Sequence, residues 1–140
     1  MSRASIPAAK RLIIALDVPT SAQARDLVED LGDTVSFYKV GLELFTGEDG
    51  FTMVDWLTSR GKEVFVDLKF FDVPATVARA VSQLRGRQVS FATVHGNDAM
   101  MRAAAEAAGE VGILAVTVLT SLDAADMRDL GFDCDIPALV

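Results

Sequence analysis

Cysteine, histidine and positive charge are what this chain has least of. Cys134 is its only cysteine and His95 its only histidine. Neither a disulfide framework nor a cysteine-rich zinc cluster can be assembled from them. Acidic residues outnumber basic ones by 20 to 13, for a net charge of -7 and a pI near 4.6. That balance argues against an electrostatic nucleic-acid binder and against a polybasic membrane surface. It leaves room for a small anionic ligand, because a few local lysines can hold one inside an acidic protein. No apolar run approaches the roughly 20 residues that span a bilayer. The opening Met-Ser-Arg-Ala-Ser-Ile-Pro lacks the apolar centre of a secretory signal, so a reducing cytoplasm is the expected compartment. Phosphate-cradling glycine loops are missing as well: the first strand candidate runs into Asp17-Val-Pro-Thr-Ser21, and no Walker sequence occurs.

What is present is hydrophobic mass in a regular rhythm. Hydrophobic residues make up 51% of the 140, enough for one ordinary domain with a sizeable core and too many for a disordered chain. Residues 1–10 read as a leader and residues 11–140 as the N-terminal part of a single domain. Leu12 to Leu16 is a continuous apolar run, the pattern of a strand buried on both faces. Thr20 with Gln23 forms a capping box for a helix whose Ala24, Leu27, Val28 and Leu31 share one face, and Gly32 stops it. Thr34 to Val40 reads as the next strand. A turn around Gly47 and Gly50 then leads to a helix carrying Phe51, Val54 and Leu57.

The most informative stretch is Lys62 to Thr76. Val64, Phe65 and Val66 form a buried strand, and Pro74 opens a helix with Val73, Val77, Val81 and Leu84 along one side. Between them lie Asp67, Lys69 and Asp72. Asp67 and Lys69 are two residues apart, so an extended backbone sends both to the same face. Charges at the end of so apolar a strand carry a desolvation cost that a sequence selected for stability alone avoids. The bland reading is a surface salt bridge, and position speaks against it: the handover from strand to loop is where α/β enzymes keep their chemistry.

Gln88 to Val94 follows as a fourth strand, then a helix capped by Asn97 and running to Ala108. Ile113 to Leu119 is a fifth strand, Asp123 to Leu130 a short helix, and Asp135 to Val140 the opening of another. Met100, Met101 and Met127 read as core filling, and Trp56 and the phenylalanines as packing of helices on the sheet. Five strands alternating with helices mean a parallel sheet with right-handed crossovers. Each strand ends in polar residues, Asp17, Lys39, Asp67 with Lys69, His95 and Thr120, about one βα unit apart. Parallel strands put these ends on one rim. A doubly wound sheet and a (β/α)8 barrel both fit the alternation.

Ile14-Ala-Leu-Asp17, Lys39-Val-Gly41, Asp67-Leu-Lys-Phe-Phe-Asp-Val-Pro-Ala-Thr76, Val94-His95 and Val116-Thr-Val-Leu-Thr-Ser121, in this order, resemble the N-terminal part of the orotidine 5'-phosphate decarboxylase family. The resemblance implies an α/β fold, a (β/α)8 TIM barrel of which this chain carries about the first five βα units. It implies a homodimeric enzyme that makes uridine 5'-phosphate and carbon dioxide from orotidine 5'-phosphate without metal or organic cofactor. By resemblance Lys69 is the acid that protonates the pyrimidine carbon, and Asp67 lies against the substrate carboxylate. Lys39 completes the charged array and touches the ribose, and Asp17 contacts a ribose hydroxyl. Asp72 and Thr76 reach the neighbouring subunit's site, and Thr120 and Ser121 hold the pyrimidine. Carboxylates flanking an ammonium favour its charged form, which suits an acid facing a carbanion-like carbon.

Phe71 and Ala75 stand where many members of that family have histidine and asparagine. The family's phosphate grip comes from loops after its last strands, so these 140 residues are expected to be part of a longer enzyme and inactive alone. Plainer readings remain for single residues: Asp17 closing a turn, Lys39 snorkelling, His95 hydrogen-bonded to backbone, Ser121 capping a helix. Two other functional readings also remain, a magnesium-dependent keto-sugar-phosphate decarboxylase or aldolase of the same superfamily and a non-catalytic assembly unit. The sugar-phosphate branch typically carries an acid where Lys39 stands and a glycine where Pro74 stands.

Overall fold

The computed structural model describes residues 6–47, 49–134 and 136–140. Five strands form one parallel sheet in the order β1-β2-β3-β4-β5: β1 (Ile14–Ala15), β2 (Phe37–Gly41), β3 (Glu63–Phe70), β4 (Val89–His95) and β5 (Gly112–Val116). The helices are α1 (Ser21–Leu31), α2 (Leu42–Gly47), α3 (Gly50–Ser59), α4 (Pro74–Ser82), α5 (Asp98–Ala107) and α6 (Ala124–Asp129). Strand order decides between the two architectures. A doubly wound sheet reverses direction at a switch point and puts helices on both faces. Here each strand joins the next without reversal, so crossovers of one hand stack all the helices on one side, as in a barrel wall.

Residue parity then divides the sheet into two faces. Tyr38 and Val40 on β2, Val64 and Val66 on β3, and Ala92 and Val94 on β4 point to the helices and join one core with Ala24 and Val28 of α1, Met53, Val54 and Leu57 of α3, Val77 and Val81 of α4, and Met100 of α5. The intervening residues face the other side. Phe37, Phe65 and Phe91 form an aromatic layer there, Phe91 stacking on Phe37 at 6.0 Å between centroids and meeting Phe65 edge-on at 6.4 Å. These three rings are inner-face residues, not the helix-to-sheet packing expected for phenylalanine. Gly112 lies opposite Phe91 on β5, and a Cβ there would stand 2.7 Å from the ring, so glycine makes room for the layer.

Several boundaries differ from expectation for local reasons. β1 is an edge strand with Leu12 and Ile13 exposed, not a strand buried on both faces. Thr20 caps α1, its hydroxyl accepting from the Gln23 amide at 3.3 Å, and Gly32 closes the helix at φ 52. A 3-10 turn, Gly32–Thr34, takes up the expected start of β2. Lys62 donates to the carbonyls of Gly32 and Val35 at 2.6 and 2.9 Å, tying that turn to the start of β3. α2 is an additional short helix between β2 and α3. Val73, expected on the packed side of α4, is the exposed N-cap before Pro74. β5 ends at Val116, three residues short of the expected Leu119. The last segment forms a 3-10 turn, Ile136–Ala138, and Asp135 lies outside the described residues.

Candidate active site

One step above the aromatic layer, on the same inner face, the side chains turn polar: Lys39 on β2, Asp67 on β3 and Thr93 on β4. Asp17, just beyond β1, joins from the edge. The ammonium of Lys39 lies 3.3 Å from Asp17 Oδ1 and 3.5 Å from Asp67 Oδ2. Lys69 Nζ donates to both Asp67 oxygens at 2.9 Å. The result is a row of alternating charge, Asp17, Lys39, Asp67, Lys69, at the C-terminal rim of the sheet. Gly41 lies beside the row, a Cβ there standing in ordinary contact with Asp17 Oδ1 and Lys39 Nζ at 3.4 and 3.7 Å.

The meeting of Asp67 with Lys69 has a different cause from simple strand alternation. Val66 pairs with Ala92, and the next partners are Phe70 and Val94. Asp67, Leu68 and Lys69 therefore span the single residue Thr93. This is a bulge, which kinks a strand and re-aims its side chains. Lys69 takes φ 49, the left-handed region that costs a non-glycine residue about 1 kcal/mol or more. Its displaced amide donates to Thr93 Oγ1 at 2.9 Å, and that hydroxyl donates to Asp67 Oδ1 at 2.8 Å.

Asp67 is the more sheltered carboxylate of the row, its side chain 13% exposed against 65% for Asp17. Burial raises its pKa, but hydrogen bonds from Lys69 and Thr93 and the fields of Lys69 and Lys39 outweigh burial and hold it below the ordinary value. It is a carboxylate at neutral pH. The Asp17–Lys39 pair, open to water on one side, belongs to the class of ion pairs worth about 1 kcal/mol or less. The Asp67 contacts matter more, because a desolvated carboxylate without partners costs several kcal/mol.

The other expected site residues are placed differently. Asp72 is exposed and accepts from the Val73 amide at 2.6 Å. Among the described residues it forms no ion pair with Lys69 or Lys39, so within one chain it does not flank the lysine. Thr76, in the first turn of α4, accepts from Arg79 at 3.1 Å. Thr120 and Ser121 are exposed in a turn after β5, and α6 is capped by Asp123 with Asp126 in a reciprocal box, so Ser121 is not the cap. His95 meets Phe71 edge-on at 5.5 Å.

Beside the charged row opens a cleft of about 640 Å³, lined by Lys69, Phe71, His95 and Thr117 at its upper end and by Met127 and Phe132 beyond. Thr93 and Thr117 were not anticipated. Thr93 shares parity with the helix-averse positions of β4, which a pairing with Asp67 would have revealed. Thr117 is the first polar residue once β5 is known to stop at Val116. No group of three or more His, Cys, Asp or Glu that could hold a metal is found among the described residues.

A sequential parallel sheet with helices outside and a lysine–aspartate row on its C-terminal rim defines the class: this is a (β/α)8-barrel fold, of which the chain carries five βα units. The chain belongs to the orotidine 5'-phosphate decarboxylase / HUMPS family, whose pattern it matches over residues 10–136. It is 65% identical, over its whole length, to orotidine 5'-phosphate decarboxylase of Methylococcus capsulatus and covers 58% of that protein. It is 50% identical to the Stenotrophomonas maltophilia protein of the same name, over 95% of this chain and 57% of the relative. The crystal structure of orotidine 5'-phosphate decarboxylase from Lactobacillus acidophilus superposes with a TM-score of 0.80 at 34% identity, covering 91% of this chain and 61% of that one. The chain thus spans a little under three fifths of the length of the curated relatives it matches.

Proposed function

We propose that the protein carrying this chain decarboxylates orotidine 5'-phosphate to uridine 5'-phosphate, with Lys69 as the acid. The observation that carries the reading is the row Asp17, Lys39, Asp67, Lys69, in which an ammonium is held by both oxygens of a partly desolvated carboxylate. Loss of carbon dioxide leaves an electron pair on a ring carbon, and a fixed ammonium nearby stabilises that charge and then transfers its proton to it. At about 4 Å and an effective dielectric near 20, the gross attraction between Asp67 and a facing lysine is roughly 4 kcal/mol, while the more exposed Asp17–Lys39 pair adds little. The Asp67 attraction is enough to hold the row in place with little reorganisation during reaction. Asp67 both orients Lys69 and presents negative charge to the substrate carboxylate. Lys39 and Asp17 bind the ribose side.

The remaining roles belong to the same proposal. Thr120 and Ser121 hold the pyrimidine, which requires their exposed turn to fold over the rim. Asp72 and Thr76 act on the neighbouring subunit's site in a homodimer, a reading supported by Asp72 being exposed and, among the described residues, forming no ion pair with Lys39 or Lys69. The reaction runs without metal or organic cofactor, in the cytoplasm. The lysine at position 39 and the proline at 74 favour this reading over a magnesium-dependent sugar-phosphate enzyme of the same superfamily.

The test is a decarboxylation assay on the full-length protein, following loss of orotidine absorbance. Turnover is expected to be unchanged by chelator and lowered by a factor of about a thousand or more in Lys69→Ala. Chelator-sensitive turnover of a keto-sugar phosphate, with none of orotidine 5'-phosphate, refutes it.

A further inference from the structure

We propose that Thr93 is a positioning residue for the lysine–aspartate pair: its hydroxyl pins the β3 bulge through the Lys69 amide and aligns Asp67 under the Lys69 ammonium. Thr93 is 5% exposed and one of two buried polar residues among those described. It stands alone opposite three residues of β3. A hydroxyl has one proton and two acceptor positions. Here one acceptor position takes the Lys69 amide at 2.9 Å, and the proton goes to Asp67 Oδ1 at 2.8 Å. The direction of donation is therefore set. An amide has no other role than donor, so the hydroxyl must accept from it and donate to the carboxylate.

The consequence is mechanical. Lys69 is held at φ 49, a conformation that an unconstrained lysine leaves readily. Without the hydroxyl, the displaced Lys69 amide loses its acceptor on β4 and Asp67 loses its donor there. Asp67 then keeps the two contacts from Lys69 Nζ, but both groups of that pair sit on the same loosened segment. Thr93 ties both residues of the pair to β4, on the side away from Lys39. β-Branching adds to the effect by restricting the hydroxyl to few rotamers.

The test compares Thr93→Val, which keeps the shape and deletes the hydroxyl, with Thr93→Ser, which keeps the hydroxyl. In the full-length protein, hydrogen exchange at the Lys69 amide is expected to be roughly tenfold faster in Thr93→Val, the loss of about one hydrogen bond. Amides of the β4–β5 ladder are expected to stay unchanged, the Asp67 carboxyl to titrate at higher pH, and Thr93→Ser to restore both. Wild-type exchange at Lys69 in Thr93→Val, or a serine variant no better than valine, overturns the proposal. Should valine prevent folding, the wild-type chain still decides: a slowly exchanging Thr93 hydroxyl proton near the Lys69 amide is expected, and a freely exchanging one refutes the bridge.

The kinetic arm rests on the decarboxylase reading. In the full-length protein Thr93→Val is expected to lower kcat by about tenfold to a hundredfold with KM within about twofold, and Thr93→Ser to recover it. If the full-length protein has no decarboxylase activity that reading fails, while the exchange measurements judge Thr93 independently.

Discussion

Asp67 draws four polar contacts onto one half-buried carboxylate, and its ionisation is coupled to folding as a result. Its pKa lies below the ordinary 3.8, so the native state binds its proton less tightly than the unfolded chain does. The stability this contributes is complete above the ordinary aspartate range and is lost as pH falls through the depressed value. Asp67→Asn keeps a partner for Thr93 but leaves Lys39 and Lys69 without their shared counter-charge. It is expected to lower stability near neutrality by about 1–3 kcal/mol and to flatten the acid limb. Urea midpoints from about pH 6 down to about pH 2 measure both. At this scale the sequence was most legible. Asp67, Lys69, Lys39 and Asp17 were singled out from chain position and resemblance, and folding brings all four together. Thr93 was not, because its importance lies in facing a bulge on another strand. Thr120 was placed at a strand end that stops at Val116 instead.

Elements follow local rules where the stop signals are strong. Gly32, expected to stop α1, does so at positive φ, as do Gly61, Gly86 and Gly109 shortly after α3, α4 and α5, and Asn97 caps α5 by accepting from the Met100 amide at 3.0 Å. The exception is the double helix between β2 and β3. α2 and α3 meet at Gly50, where a Cβ would come within 2.6 Å of the Phe45 carbonyl and 2.5 Å of its ring. Alanine gains at most about 1 kcal/mol in helix propensity, while forcing backbone and ring apart costs about 1–3 kcal/mol. Gly50→Ala is therefore expected to destabilise the protein on balance, seen as a lower urea midpoint at unchanged slope. Nothing in Leu42 to Gly47 alone announces a helix. Six residues hold little periodicity, and α2 forms because Leu44 is buried and Phe45 packs edge-on against Phe51 at 5.1 Å.

For the whole molecule the decisive feature is an inner face that is apolar below and charged above. Ile13, just before the edge strand β1, and Leu114, on the edge strand β5, are 39% and 41% exposed, and in a closed barrel both positions face the lumen. The 140-residue chain by itself is accordingly expected to bind a hydrophobic dye such as ANS and to show no orotidine 5'-phosphate turnover. Lys69-dependent turnover by this chain alone would contradict that. The proposed sharing of sites has its own measurement. Hybrid dimers of full-length Lys69→Ala and Asp72→Ala subunits are expected to contain one intact site and to recover part of the activity that each parent lacks. Subunit exchange without recovery would place Asp72 outside its neighbour's site.

Local pattern was sufficient to determine the main alternation of strands and helices, the buried sides of α1 and α3 and the charged residues worth attention, because periodicity and desolvation cost are properties of a few neighbouring residues. Only the tertiary structure decided the order of strands in the sheet, the unsheltered edges and the bulge that lifts Lys69 onto Asp67. Those depend on which residues face one another across strands some 25 positions apart, and no run of neighbours along the chain records that pairing.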